Sequence, residues 1–195
     1  MNKHMHTRSN APAVVAFLLI ALGTAPSVVR AQHDAEATNE EHGHHELTLL
    51  LAHTHLRTGI TSDGKAEWLV LPSWGINYNY WINSKWAIGL HTDFITETFL
   101  VKEDLDAEHS EEVLERSHPI APAIMATYRP HHHWAFILGA GEEFAEEGNL
   151  FLMRAGTEYA VHLSGAWETS GSLAYDFRFN AYDSFTLGVG LTHAF

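Results

Sequence analysis

The chain closes on "SFTLGVGLTHAF", residues 184–195, in which Phe185, Leu187, Val189 and Leu191 alternate with Thr186, Gly188, Gly190 and Thr192. A period of two is the mark of a β-strand, and here it sends every large apolar side chain to one face. The opposite face holds only small residues, which suits a narrow interior. The bulky face must then meet something apolar outside the protein's own core.

The same division recurs upstream. In "WAIGLHTDFITETFL", Trp86, Ile88, Leu90, Phe94 and Leu100 share one face, while His91, Asp93 and Glu97 share the other. In "FLMRAGTEYAVHL", Phe151, Met153, Tyr159 and Val161 oppose Arg154, Glu158 and His162; in "WETSGSLAYDFRF", Trp167, Leu173, Tyr175, Phe177 and Phe179 oppose Glu168, Ser170, Ser172, Asp176 and Arg178. Apolar-out with polar-in is the reverse of a soluble ligand-binding barrel and the pattern of a membrane barrel. No segment after Ala31 approaches the length of about 20 apolar residues that a membrane helix needs, so any crossing is made by strands.

Alternating runs fall at 45–57, 66–81, 85–101, 116–129, 133–145, 149–163, 166–179 and 184–195. The expected fold is therefore all-β, an eight-stranded antiparallel up-and-down transmembrane barrel, the smallest bacterial outer-membrane type. The connections alternate in character. "INSK", "RPHHH" and "LSGA" read as short turns, whereas "TGITSDGK", "VKEDLDAEHSEEVLER" and "EEFAEEGN" read as longer polar loops, and "FNAYDS" as a short member of that second set. With Phe195 at the periplasmic end, the short turns fall in the periplasm. Trp74, Tyr78, Tyr80, Trp86, Tyr128, Trp134 and Trp167 fit the aromatic girdles at the two membrane interfaces.

The other end of the chain fixes its route. Lys3 and Arg8 precede the apolar run "APAVVAFLLIALG", and the small-residue site Val29-Arg30-Ala31 follows it, as in a secretory signal cleaved after Ala31. Cleavage leaves 164 of the 195 residues. The expected organisation is a signal peptide at 1–31, a His- and acid-rich periplasmic leader without fixed structure at 32–44, and the barrel at 45–195. The mature chain keeps 8 basic side chains against 24 acidic ones, a charge of −16 that repels nucleic acid phosphates and excludes that class of partner. It has no cysteine, so export adds no disulfide.

A terminal Phe195 preceded at alternate positions by Leu191, Val189 and Leu187 resembles the carboxy-terminal assembly signal of bacterial outer-membrane barrels, with His193 as a departure from its usual aromatic or aliphatic residue. Across nearly the whole mature length the chain resembles the small eight-stranded proteins of the OmpA-transmembrane and OmpX type. More narrowly, "KWAIGL", "GTEY" and "YDSFTLGVGL" are similar to a His-rich group of such barrels. The resemblance implies a bacterial outer-membrane location, outer-membrane lipids and lipopolysaccharide as surroundings, and the barrel assembly machinery as a partner through the last strand. It implies no active-site motif.

Two sets of residues are candidates for function. The first is a polar lumen network of His91, Asp93, Glu97, Arg154, Glu158, Glu168, Asp176 and Arg178, in which both signs of charge are present to pair. The same residues could line a conducting path, although eight strands leave an interior just wide enough for side chains. A lipid A-modifying enzyme would need a hydroxyl beside a histidine base and a carboxylate, for which Ser73, His91 and Asp93 are the candidates. The His-x-Ser arrangement with a downstream carboxylate that resembles the lipid A deacylases is not found here, so no catalytic residue is named.

The second set is histidine. Of 16 histidines, 14 survive loss of His4 and His6, and the topology sends His33, His42, His44, His45, His131, His132, His133, His162 and His193 to the periplasmic end. Neutral imidazole binds zinc, copper and nickel, so His42, His44, His45, His131, His132 and His133 are the candidate metal ligands, with Asp34, Glu40, Glu41 and Glu46 near them. The spacing lacks the fixed geometry of a structural zinc motif, and no cofactor is required by the fold. The same cluster could serve as a pH sensor. In "HGHHELTLLLAHTH", parity with Leu47, Leu49 and Leu51 turns His53 and His55 toward lipid, whereas a β-bulge after Ala52 would turn them inward. The acidic loop from Glu103 to Glu115 is expected to hold calcium or magnesium loosely at most. The leading expectation is a non-enzymatic integral barrel with an envelope-structural or surface-interaction role, and metal handling or lipid A modification as alternatives.

Overall fold

A computed structural model describes residues 44–60, 66–102, 113–179 and 181–195. The signal region, most of the leader with His33 and His42, and the acidic residues 103–112 lie outside the described residues. Among the described residues there are ten strands: β1 His45–Ile60, β2 Ala66–Trp81, β3 Trp86–Ile95, β4 Phe99–Lys102, β5 Val113–Arg116, β6 Ile120–Tyr128, β7 Trp134–Ala145, β8 Gly148–Ser164, β9 Trp167–Arg178 and β10 Ser184–Ala194. Eight of them close into a barrel in the order β1-β10-β9-β8-β7-β6-β3-β2, and β4 with β5 forms a separate two-stranded hairpin. Each barrel strand is antiparallel to both neighbours.

Parity decides the faces as the alternation dictates. Leu51 is 69% exposed and Val189 64%, while Leu50 and Thr48 between and beside these outward rows are buried. Every barrel strand turns large apolar residues outward, so the wall presents a hydrophobic belt rather than a soluble surface. Inside, β10 presents glycine because the lumen is full. A Cβ added to Gly190 would lie 2.7 Å from Ser170 Oγ, and one at Gly188 would lie 2.9 Å from Leu50 Cδ1.

The two ends of the barrel differ. One end carries the short turns and both chain ends of the barrel. There the Asn83 carboxamide oxygen accepts from the backbone N–H groups of Lys85 and Trp86, and Gly165 takes the left-handed φ of 55° that its turn requires. The other end carries the loops. "EEFAEEGN", expected as a loop, is instead a strand hairpin: β7 and β8 remain paired up to Ala145 opposite Gly148. The turn is only Glu146 and Glu147, closed by Gly148 at φ 139°.

The expected third strand also breaks. Pairing with β2 stops at Ile95, and Thr96, Glu97 and Thr98 are exposed before the chain re-forms as β4. That break lets Phe99 and Val101 fold over the loop end and pack with Leu56, Leu71, Ile95 and Tyr182 in an apolar cluster. A second buried cluster of Ala121, Ala123, Met125, Ile137 and Leu152 fills one side of the barrel interior.

Candidate functional site

The lumen is the most organised polar site among the described residues. Arg154 projects inward from β8, where its Nε and Nη2 donate to the two Asp176 carboxylate oxygens at 2.6 and 2.8 Å, while Nη2 also meets Asp93 Oδ2 at 2.7 Å. Arg178 stands one inward position along β9 from Asp176. It lies 3.4 Å from that carboxylate, donates to Glu143 Oε2 at 2.7 Å and to Ser184 Oγ at 2.9 Å. Glu143 then receives Arg116 Nη2 at 2.6 Å and the Tyr182 hydroxyl at 2.6 Å. Arg116 also donates from Nη1 to the Gly148 carbonyl at 2.7 Å.

This chain of contacts balances Arg116, Arg154 and Arg178 against Asp93, Glu143 and Asp176, so charge inside the loop-end half of the barrel is neutral. Buried charges are tolerated when paired and bonded in this way. Tyr182, in the β9–β10 connection, lies under the Arg178 guanidinium at 4.4 Å from its ring centroid. Burial raises its phenol above the ordinary value, with the Arg178 charge opposing and the Glu143 charge adding. It is therefore held as a donor.

Toward the short-turn end the lumen changes character. His91 Nε2 donates to the Asn79 carboxamide oxygen at 3.0 Å, whereas on the loop-end half of β1 the Thr54 hydroxyl bonds Ser73 at 2.8 Å and Thr186 at 3.1 Å. Nearer the short turns than His91, Arg129 lies 3.5 Å from Glu46 and 4.2 Å above the Trp81 ring. Glu158 shares the electrostatic field of Arg129, and Glu168 that of Glu46.

Of the expected lumen residues, Asp93, Arg154, Asp176 and Arg178 are brought together, His91 lies beside them on its own partner, and Glu158 and Glu168 belong to the separate Glu46–Arg129 group. Glu97 is a correction. Continuing the strand through it placed it inward, but the exposed bend at 96–98 takes it out of the lumen. Arg116, Glu143 and Tyr182 were not anticipated. Glu143 sits at an inward-parity position of β7, so alternation could have found it; Arg116 and Tyr182 reach the lumen only through the folded hairpin and the last connection, which carry no periodic signal. Ser73, His91 and Asp93 each bond a different partner, Thr54, Asn79 and Arg154, rather than one another.

The histidines are dispersed. His44 Nδ1 donates to the Trp81 carbonyl at 3.1 Å, and His45 Nδ1 meets the Tyr78 hydroxyl at 2.7 Å while its ring stacks on Phe195 at 5.6 Å. His133 Nδ1 donates to the Ala160 carbonyl at 2.9 Å and stacks on Tyr159 at 5.5 Å. His131 and His132 are exposed in the same turn. β1 and β7 are four places apart in the ring of eight strands, so the His44–His45 and His131–His133 groups occupy opposite sides. Among the described residues no group of three or more His, Asp or Glu side chains is disposed to hold a metal ion. His53 and His55 face outward, because pairing runs without a bulge from Glu46 through Leu56 on the β10 side.

A closed eight-stranded antiparallel barrel with an outward apolar belt and a packed lumen is the fold of transmembrane β-barrels. Among solved structures the chain is similar to Ail, the attachment invasion locus protein of Yersinia pestis, in complex with the heparin analogue sucrose octasulfate, at 13% identity over 79% of this chain and 99% of that one, with a TM-score of 0.51. It is also similar to Neisserial surface protein A, at 13% identity over 77% of this chain and 97% of that one with a TM-score of 0.45. A third is the N-terminal β-barrel domain of OprF from Pseudomonas aeruginosa, at 12% identity over 77% and 98% with a TM-score of 0.41. No family model matches, and no curated protein matches the sequence.

Proposed function

We propose that this chain is an integral protein of the bacterial outer membrane, exported by a signal cleaved after Ala31, with its short turns in the periplasm and its loops outside. Its role on this reading is structural or surface-interacting, without catalysis and without a solute path. The observation that carries the reading is a belt of outward apolar residues around a lumen filled by a neutral Arg–carboxylate network and covered by Phe99, Val101 and Tyr182. Its surroundings are outer-membrane lipids and lipopolysaccharide. The outward Leu187, Val189 and Leu191 with the terminal Phe195 are the surface offered to the assembly machinery.

Refolding the mature chain into lipid vesicles tests the reading. Insertion that gives a heat-dependent shift in gel mobility, with no discrete conductance in planar bilayers, supports it. Recovery as a soluble protein without detergent would exclude the membrane assignment, and stable unitary currents from the intact chain would exclude the closed lumen.

A further inference from the structure

The outward face of β1 changes character half-way along. It runs Leu47, Leu49, Leu51, then His53, His55 and Arg57, so a leucine stripe gives way to three consecutive outward positions that carry or can take up positive charge. The strands on either side do not follow suit. His53 pairs with Leu187 on β10 and Pro72 on β2, His55 with Phe185 and Val70, and Arg57 with Trp68.

The depth of this row is set by its neighbours. β10 begins with Ser184 opposite Leu56, so His55 lies beside Phe185, the first outward residue of that strand. Phe185 meets Trp68 at 5.8 Å and Tyr175 at 4.8 Å between ring centroids, forming an aromatic band at the loop end. Such bands mark the level where hydrocarbon gives way to headgroups. The imidazoles therefore stand at headgroup depth in the loop-side leaflet.

Side chains two apart on a strand are about 6.7 Å apart at their Cα atoms. Nitrogen donors at that spacing can bracket one phosphate, whose oxygens accept at about 2.8 Å. Other charged or titratable groups near the row are Glu67, at the inward-parity position beside Trp68 on β2, Tyr175 on β9 and Asp183 in the β9–β10 connection, whose carbonyl accepts from the Arg57 backbone N–H. The two acids lie at or beyond the level of Arg57, and His53 and His55 have only apolar side chains directly across both seams.

We propose that His53 and His55, with Arg57 beyond them, form a docking row for the phosphate of an anionic lipid headgroup in the loop-side leaflet. The proposal rests on the membrane orientation given above and adds a defined lipid contact to it. Imidazole N–H donors beside the Arg57 charge favour a lipid whose phosphate charge is not offset by a cation of its own.

The experiment is native mass spectrometry of the intact mature barrel in detergent, titrated with lipid A, with phosphatidylcholine and with inorganic phosphate. The His53→Gln/His55→Gln double variant is compared after checking that its heat-dependent mobility shift is retained. Lipid A retention is expected to fall about fivefold in the variant, with phosphatidylcholine retention unchanged. Equal lipid A retention in both proteins would overturn the proposal, as would a parallel loss of phosphatidylcholine. Displacement of lipid A by millimolar inorganic phosphate would replace the lipid with a free anion, and stoichiometric zinc retention lost in the variant would replace it with a metal chelate. A wild-type chain that fails to insert into vesicles at all would instead remove the membrane reading itself.

Discussion

Arg116 Nη2 lies 2.6 Å from Glu143 Oε1, both side chains fully buried, although one belongs to the loop-end hairpin and the other to the barrel wall. A segment that could have waved above the barrel is thus tied into its interior by a charge pair. Glu143 is the shared acceptor of that tie, since Arg178 and Tyr182 converge on it as well.

Glu143→Gln should accordingly cost more than Arg116→Met. The first leaves two buried guanidiniums facing a neutral amide, a loss of about 3–5 kcal/mol, whereas the second leaves Glu143 with Arg178 and Tyr182 and costs about 1–3 kcal/mol. Urea unfolding of the refolded barrel, followed by gel mobility, measures both. Equal losses would show that Glu143 is not the hub.

Alkaline pH should loosen the same region. The folded phenol of Tyr182 titrates above its ordinary value, so its contribution to stability is complete below the unfolded value near about 10 and is lost as pH rises beyond that. Tyr182→Phe should flatten the decline of stability across that alkaline window. A slope identical to that of the wild type would assign the effect to other groups.

Glycines in the wall should differ in tolerance. A Cβ on Gly141 would run into the Pro122 carbonyl oxygen and the backbone and side chain of Ala123, while one on Gly171 meets nothing within 4 Å. Gly141→Ala is expected to destabilise by about 1–3 kcal/mol or to abolish insertion, and Gly171→Ala to be nearly neutral. The yield of heat-shifted, refolded protein separates the two.

Any transition-metal uptake by His44 and His45 should be indifferent to the turn on the far side of the barrel. Alanine at 131–133 is expected to leave that uptake unchanged in isothermal titration, because the two groups touch different strands and share no partner. Loss of uptake in the triple variant would mean that residues before His44 carry histidines across the short-turn mouth.

How much of this was legible beforehand follows from where period two applies. The eight wall strands and the inward turn of Asp93, Arg154, Asp176 and Arg178 were readable, because each of those residues sits in a run whose neighbours alternate without interruption. Glu97 was misplaced because alternation carries no information about where pairing stops. Arg116 and Tyr182 escaped for a related reason: they enter the lumen from connections, where tertiary packing alone sets direction. The histidines showed the opposite weakness, since topology named the right end of the barrel but could not say that its circumference keeps them apart.

The seam between β1 and β10 has its own consequence. Thr48 and Thr192 share a hydrogen bond at 2.7 Å across 144 residues of sequence, and His45 and Phe195 exchange backbone hydrogen bonds at 3.2 and 2.9 Å. The first strand made is therefore the partner of the last. Until β10 has been made, β1 has an unsatisfied edge, and no shorter set of these strands can form the cylinder. Closure is one event that waits for β10, and the nascent β1 must be kept from pairing with strangers until then.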